Sequence, residues 1–437
     1  MKRMLKKLAA GFLAILARGV LRKYRPTIVM VTGSVGKTST KDAVAAALSG
    51  SRYVRASEKS YNSEFGVPLT ILGADNPWTS PARWLRVIGE AFALLLLPNH
   101  YPKLLVLEVG ADRPGDLARI LRIATPDAVV LTRLPELPVH VEAYATPEAV
   151  REEEFQPAYA LPLGAPLILS ADDKYAQALT APLVVTMVSF GTAAGADVRI
   201  DAPEIWMEKG RPVGMRTEVT IDGSSYPLTV RGALGAPQLL APAAALATAC
   251  ALSVSPKDAL KGLEAYLPPP GRGRVLPGKG GSVLIDDTYN ASPAAVEEAL
   301  ATLSLVAQGM RGTKRIAVLG DMLELGRYSQ EAHEKIGTLA SSCCDILVTV
   351  GSRSRATADA ARAAGMPDSA IHVFMTANEA SPAVAELVGT ASKDDAPVAI
   401  LIKGSQSIRT ERVVEALLED PSDAKFLVRQ EAQWRAS

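Results

Sequence analysis

Residues Thr32–Thr40 read Thr-Gly-Ser-Val-Gly-Lys-Thr-Ser-Thr, between the apolar run Thr27–Val31 and the helical pattern Lys41–Leu48. A strand, a glycine turn, a lysine and a helix in that order make a phosphate cradle at the end of a strand. Gly33 and Gly36 let the backbone approach phosphate oxygens, and the N–H groups opening the helix point at them. Lys37 can reach the terminal phosphates and Thr38 can set a hydroxyl on Mg²⁺, with Ser34 and Ser39 completing the candidate nucleotide loop. The competing reading, a structural turn with a stray lysine, needs every one of these coincidences. The spacing Gly-x-x-Gly-Lys-Thr is shorter than that of the commonest nucleotide loops.

The rest of the chain has to house that loop. Its 437 residues suit two or three domains, and 48% apolar with 21% charged residues is an ordinary globular balance. A net charge of +1 offers no excess basic surface and argues against nucleic acid as a partner. The three cysteines, Cys250, Cys343 and Cys344, give no disulfide framework and no metal spacing, so they read as core residues of a reduced, cytoplasmic protein.

Residues 1–26 are less ordinary. Lys2, Arg3, Lys6, Lys7, Arg18, Arg22, Lys23 and Arg25 surround an apolar stretch, Leu8–Ala17, that is too short to span a bilayer. A signal peptide is conceivable from the basic start, but a nucleotide site begins a few residues later and belongs in the cytosol. Two readings stay open: a basic amphipathic helix on the inner face of an anionic membrane, or a helix packed on the protein's own flank. Ala82–Leu97 offers a second apolar, helix-like surface, and the two segments could cover each other.

Apolar strand-like runs at Leu104–Leu107, Ala128–Leu131, Leu167–Leu169 and Val184–Phe190 alternate with helical patterns, which predicts parallel βαβ units. Short runs between 196 and 231 predict an antiparallel patch, and Leu239–Leu252 a helix. Pro268-Pro269-Pro270-Gly271 is a stiff linker. Beyond it, strands are predicted at Val283–Ile285, Ile316–Leu319, Ile346–Val350, His372–Phe374 and Val398–Ile402. The fold class is therefore α/β: a central P-loop mononucleotide-binding parallel sheet domain with a small antiparallel patch, then a Rossmann-like C-terminal domain. The expected boundaries are 1–26, 27–267 and 271–437.

Glu108 ends a predicted strand of the same sheet as the loop, where a carboxylate makes a hard oxygen ligand for Mg²⁺. His140 follows the next strand, although a lone histidine is more often structural. Asp172-Asp173 reads as a turn pair or a further polar anchor. Asp286-Asp287 and Gly320-Asp321 fall just past strand ends, where open α/β sheets bind ligands.

Taken together, these segments resemble the Mur ligases, and within them the type that adds D-alanyl-D-alanine. The resemblance runs from Thr27 to Leu418. It rests on Thr32–Thr38, Asn62–Pro68, Glu108–Gly115, His140-Val141-Glu142, Ala171-Asp172-Asp173, Asp286–Pro293, Val318–Gly326 and Lys403–Arg409. It implies an ATP-dependent amide ligase of peptidoglycan precursor assembly that passes through an acyl phosphate, with ATP and Mg²⁺ as cofactors. By resemblance Lys37 and Thr38 hold phosphates and one Mg²⁺ with Glu108, and His140 serves a second metal. Asp287 binds the ribose, while Asn62, Tyr289, Asn290, Lys403, Ser405 and Arg409 meet the substrates. Closure of the last domain would keep water from the acyl phosphate.

Three departures stand out. Only a short basic segment precedes the ATP domain, where these ligases usually carry a domain for the uridine diphosphate. Gly235-Ala236-Pro237-Gln238 stands where the family has His and Asn near the adenine, leaving that contact to Gln238 or to backbone. The carbamylated lysine that braces the second metal falls at Glu154, whose competing reading is a solvated acidic helix face. A ligase on a poly-γ-glutamate or cyanophycin type of acceptor, and a non-catalytic nucleotide-binding scaffold, are the alternatives in function. Nucleotide and peptide substrates, no nucleic acid and a monomer are expected.

Overall fold

The computed structural model describes residues 2–57, 61–77, 80–310, 312–391, 396–431 and 434, with residues 2–7 as backbone only. They form two compact units. One comprises Met1–Asp201, Val219–Tyr226 and Leu240–Tyr266; the other comprises Ala202–Glu218, Pro227–Leu239 and Leu267–Ser437.

In the first unit the strands are β1 (Thr27–Thr32), β2 (Val54–Ala56), β3 (Leu104–Glu108), β4 (Ala128–Leu131), β5 (Pro166–Ser170), β6 (Thr186–Gly191) and β7 (Val198–Ile200). They lie in the order β2-β3-β1-β4-β5-β6-β7, every pair parallel. Burial on both faces explains why β3 and β4 read as continuous apolar runs rather than alternating ones: every residue of each is buried. Val31 of β1 stands opposite Glu108 of β3 and Val130 of β4, so the three strands end side by side. Strand order reverses about β1, and such a switch point opens a crevice outside the carboxyl ends.

The predicted antiparallel patch consists of β8 (Glu204–Glu208), β9 (Arg211–Ile221) and β10 (Ser224–Arg231). In the first unit the end of β9 pairs antiparallel with β7. In the second unit its start pairs antiparallel with β8.

The N-terminal segment is a helix, Lys2–Tyr24, whose Leu13, Leu16, Ala17 and Val20 enter the apolar core of the first unit. There they meet Leu69 and Ile71 of one helix and Val87, Ala91 and Leu94 of another, Pro81–Leu96. The two apolar segments do cover each other: a Cβ on Gly19 would come within 2.9 Å of Leu95 Cδ2. Lys23 is spent on this packing, since its Nζ donates to the carbonyls of Leu94 and Leu97 at 2.7 Å and so caps the second helix. The side chains of Lys2, Arg3, Lys6 and Lys7 lie outside the described part.

The second unit carries β11 (Arg274–Pro277), β12 (Val283–Asp287), β13 (Lys314–Gly320), β14 (Ile346–Val350), β15 (Ile371–Phe374) and β16 (Val398–Lys403). Their order is β11-β12-β16-β13-β14-β15. All pairs are parallel except the first, β11 on β12. Strand β11 has no counterpart among the predicted strands. It is four residues long and ends in Pro277, which is tolerated because an edge strand need not donate every N–H. In this sheet Asp287 of β12 stands opposite Lys403 of β16. Cys250, Cys343 and Cys344 are free thiols.

Candidate active site

In the first unit, β1 delivers the glycine loop onto the helix Lys37–Ser49. Gly33 has φ +117°, and a Cβ there would lie 2.3 Å from Thr132 Oγ1, so only glycine fits. Gly36, at φ +88°, stands at the helix N-cap with no side-chain cap, leaving the first-turn N–H groups to a ligand. Thr38 and Ser39 are buried in that turn. The loop is pinned from outside, because Ser34 N donates to Arg133 O at 2.9 Å.

Lys37 curls back over the loop. Its Nζ donates to Gly33 O and lies 3.9 Å from Glu154 Oε1. Ser34 Oγ donates to Glu154 Oε2, and Thr32 Oγ1 donates to Glu154 O at 2.8 Å. Glu154 thus lies against the phosphate loop with 1% of its surface exposed. Burial raises its carboxyl above the ordinary range; the Lys37 charge, the Ser34 hydrogen bond and the His140 charge pull it back.

The acidic run divides three ways. Glu152 is exposed, and Glu153 accepts the N–H groups of Gly115 and Leu117 at 3.0–3.1 Å, anchoring the helix Asp116–Leu121. Only Glu154 turns onto the phosphate loop, so the solvated-face reading holds for Glu152 and not for it.

Glu108 closes β3 beside the loop and is buried. Asn62 is brought in by the backbone: its carbonyl accepts Gly110 N at 3.2 Å. A Cβ on Gly110 would meet Asn62 Nδ2 at 3.2 Å and Lys37 Cε at 3.3 Å, which sets those two side chains side by side. His140 sits in a left-handed conformation at φ 62°, with Nε2 3.6 Å from Asp112 Oδ1. The structure therefore gathers Ser34, Lys37, Thr38, Asn62, Glu108, His140 and Glu154 around the carboxyl ends of β1, β3 and β4.

Asp172 and Asp173 are anchors elsewhere. Asp173 caps the helix Lys174–Ala178 and accepts Leu134 N at 2.6 Å, while Asp172 accepts Thr192 N and Ala193 N. Two residues near the site escaped the sequence reading. Asp112 lay within the Glu108–Gly115 segment without a role. Tyr144, with no motif around it, has a phenol raised by burial and by Glu153, Asp116, Glu154 and Asp112.

In the second unit, Lys403 is buried and donates to Asp287 Oδ2 at 2.6 Å and to Asn290 O at 2.9 Å. Asp287 Oδ1 also accepts Gly273 N at 3.2 Å. Gln238 joins the same neighbourhood, donating from Nε2 to Arg272 O at 3.0 Å, and the Arg272 guanidinium lies 4.1 Å over the Tyr289 ring. Asp287, Tyr289, Asn290, Lys403 and Gln238 are thus grouped, with Arg272 an addition that sequence reasoning missed. Ser405 Oγ accepts Leu323 N at 2.9 Å. Arg409 is engaged by protein groups: it donates to Glu411 Oε1 at 2.6 Å and to Trp434 O at 2.9 Å.

Asp286 supports this cluster from below. It is fully buried, accepts Thr288 Oγ1 at 2.5 Å, and is pushed up to about 6 by burial, with the Asp287 charge adding and the Thr288 hydrogen bonds and Arg429 opposing. Between the ordinary 3.8 and about 6, folding therefore takes up a proton, and stability falls as pH rises through that window. The loss is on the order of 3 kcal/mol. Thermal midpoints followed across this window should fall more steeply for the wild type than for Asp286→Asn; parallel profiles would contradict the assignment.

Among the described residues, no group of three or more His, Cys, Asp or Glu forms a self-sufficient metal cage. The first unit nevertheless suits Mg²⁺, which takes one or two carboxylates together with substrate phosphates, and a hydroxyl with carboxylates supplies hard oxygens of that kind.

Comparison with known proteins agrees with this arrangement. Residues 31–219 match the Mur ligase middle domain, and residues 271–406 match the Mur ligase glutamate ligase domain. The UDP-N-acetylmuramoyl-tripeptide–D-alanyl-D-alanine ligase of Mycobacterium leprae is 30% identical, over 95% of this chain and 77% of its own. The chain belongs to the Mur ligase family. The enzyme of the same name from Bacillus subtilis is 28% identical over 93% of this chain and 79% of its own. The MurF ligase of Thermotoga maritima, solved in complex with ADP, superposes with a TM-score of 0.73 at 27% identity, over 93% of this chain and 83% of that one. As a Mur ligase, the chain is an ATP-dependent, ADP-forming carbon–nitrogen ligase.

Proposed function

We propose that this Mur ligase joins D-alanyl-D-alanine, or a similar amine, to the carboxylate of a UDP-linked muropeptide in the cytoplasm, as a monomer. The observation that carries the reading is the set Ser34, Lys37 and Glu154 locked together at the end of β1, beside Glu108. The M. leprae relative, aligned over 95% of the chain, supplies the substrate class.

A carboxylate oxygen of the peptide attacks the terminal phosphorus of ATP, and ADP leaves. The amine nitrogen then attacks the acyl carbon, loses a proton, and the tetrahedral intermediate expels phosphate. The protein does no covalent work in either step. Lys37 and the N–H groups of Gly36–Thr38 offset charge on the transferring phosphoryl group. Thr38 with Glu108, and His140 with Glu154, would hold Mg²⁺, which supplies further charge neutralisation there. In the second unit Asp287 takes the ribose and Gln238 the base. Asn62, Tyr289, Asn290, Lys403, Ser405 and Arg409 position the peptide substrates, Arg409 and Ser405 through the loops they brace.

Release of phosphate from ATP on adding UDP-muramoyl tripeptide together with D-alanyl-D-alanine tests the reading. Release with a poly-γ-glutamate type of acceptor instead would move the enzyme to another branch, and no release with any pair would favour a scaffold. Asp287→Ala should raise KM for ATP about tenfold, the size of one lost hydrogen bond to a charged group. An unchanged KM would remove Asp287 from the nucleotide site.

A further inference from the structure

The helix Lys2–Tyr24 has two apolar faces, and packing accounts for only one. Ala10, Leu13, Leu16, Ala17 and Val20 turn to the core, while Leu8, Phe12 and Ile15 stand on the opposite side at 63%, 40% and 59% exposure. Spacings of four and three residues put those three on a single stripe, and Gly19 and Arg22 continue it. The helix Pro81–Leu96 repeats the pattern. Val87, Ala91 and Leu94 are buried, and Leu85, Phe92 and Leu96 form an exposed stripe on the other side.

The two stripes adjoin. Phe12, Ile15 and Leu16 on one helix and Phe92 and Leu95 on the other line an open cleft of about 630 Å³, with Arg18 and Arg22 at its edge. Neither arginine has a carboxylate partner among the described residues. The first helix contains no acidic residue, and its sequence also includes Lys2, Arg3, Lys6 and Lys7. Glu90 is the one carboxylate on the second helix, against Arg83 and Arg86. No described helix is long and apolar enough to cross a membrane.

We infer that this paired-helix face docks on an anionic bilayer surface. Phe12, Ile15, Phe92 and Leu96 enter the boundary between headgroups and acyl chains, and Arg18 and Arg22 take lipid phosphates. An apolar stripe with Arg18 and Arg22 at its edge, on a helix that carries no acidic residue, matches an anionic lipid layer, which supplies hydrocarbon and phosphate at adjoining depths. A second copy of the chain would bring the same cations against themselves, and repulsion would oppose that pairing. The conclusion is independent of the ligase substrate.

Flotation of the full chain with vesicles tests it. Binding is expected to vesicles of phosphatidylcholine mixed with phosphatidylglycerol, to weaken as salt is raised, and to be absent with phosphatidylcholine alone. Arg18→Glu together with Arg22→Glu should weaken binding by roughly fivefold or more for each charge removed. Ile15→Gln together with Leu96→Gln should weaken it at least tenfold at an unchanged thermal midpoint, because neither side chain is in the core. ATP binding should be the same in all of these variants. No binding to mixed vesicles, or equal binding to both compositions, would overturn the inference. So would a dimer in solution that the Ile15 and Leu96 changes dissociate.

Discussion

Lys37→Ala is expected to lower the ligation rate by roughly 10³-fold or more, because a positive charge aimed at a transferring phosphoryl group acts chiefly in the transition state. Among the described residues, the loop and one carboxylate hold that ammonium group: Gly33 O and, at 3.9 Å, Glu154 Oε1. The helix it opens is fixed independently of it, by Thr38, Ser39 and Thr40 in the buried first turn and by Ala43, Val44, Ala47 and Leu48 beneath. The variant should therefore keep its ellipticity and thermal midpoint within a few degrees. Phosphate release at saturating ATP and peptide substrates is the measurement. A rate near wild type would show that Lys37 is not the residue that meets the terminal phosphate.

Glu154→Gln is expected to slow ligation by about 10- to 100-fold and to raise the Mg²⁺ concentration needed for half-maximal rate, as loss of a group supporting a metal does. The substitution keeps the side chain's shape and an oxygen for Ser34, so it isolates the negative charge. That charge is what a carbamylated lysine would supply in the wider family, and no lysine occurs between Lys103 and Lys174 to be carbamylated. Wild-type activity should be indifferent to bicarbonate, whereas Glu154→Lys should recover part of the lost rate only when bicarbonate is present. Wild-type Mg²⁺ dependence in the Gln variant would leave Glu154 as a clamp on the loop, fixing Ser34 and nothing more.

The contrast between these two residues shows where a sequence is explicit. Lys37 belongs to a contiguous string whose glycines, lysine and hydroxyls need one another at fixed local spacing, and β1 with its following helix was legible from the same few residues. The parallel strands were legible too, because burial on both faces turns each into a continuous apolar run. Strand β11 was not, since a four-residue edge strand ending in proline carries little periodic signal.

Which of three adjacent glutamates meets the phosphate loop was a question of helix phase and partners. Glu153 was claimed by the N–H groups of Gly115 and Leu117, which left Glu154 to Ser34 and Lys37. Tertiary structure likewise decided that Arg409 is tied to Glu411 and Trp434, and that the Lys23 ammonium caps the end of a helix. The first helix reads in the sequence as a basic amphipathic helix open to two destinations, a membrane surface or the protein's own flank; only packing showed which apolar side chains are spent on the core and which are left exposed. Local steric and hydrogen-bonding rules act over a few residues, and the sequence by itself determined everything that depends on them. Choices among equivalent side chains depend on partners far along the chain, and only the folded neighbourhood makes them.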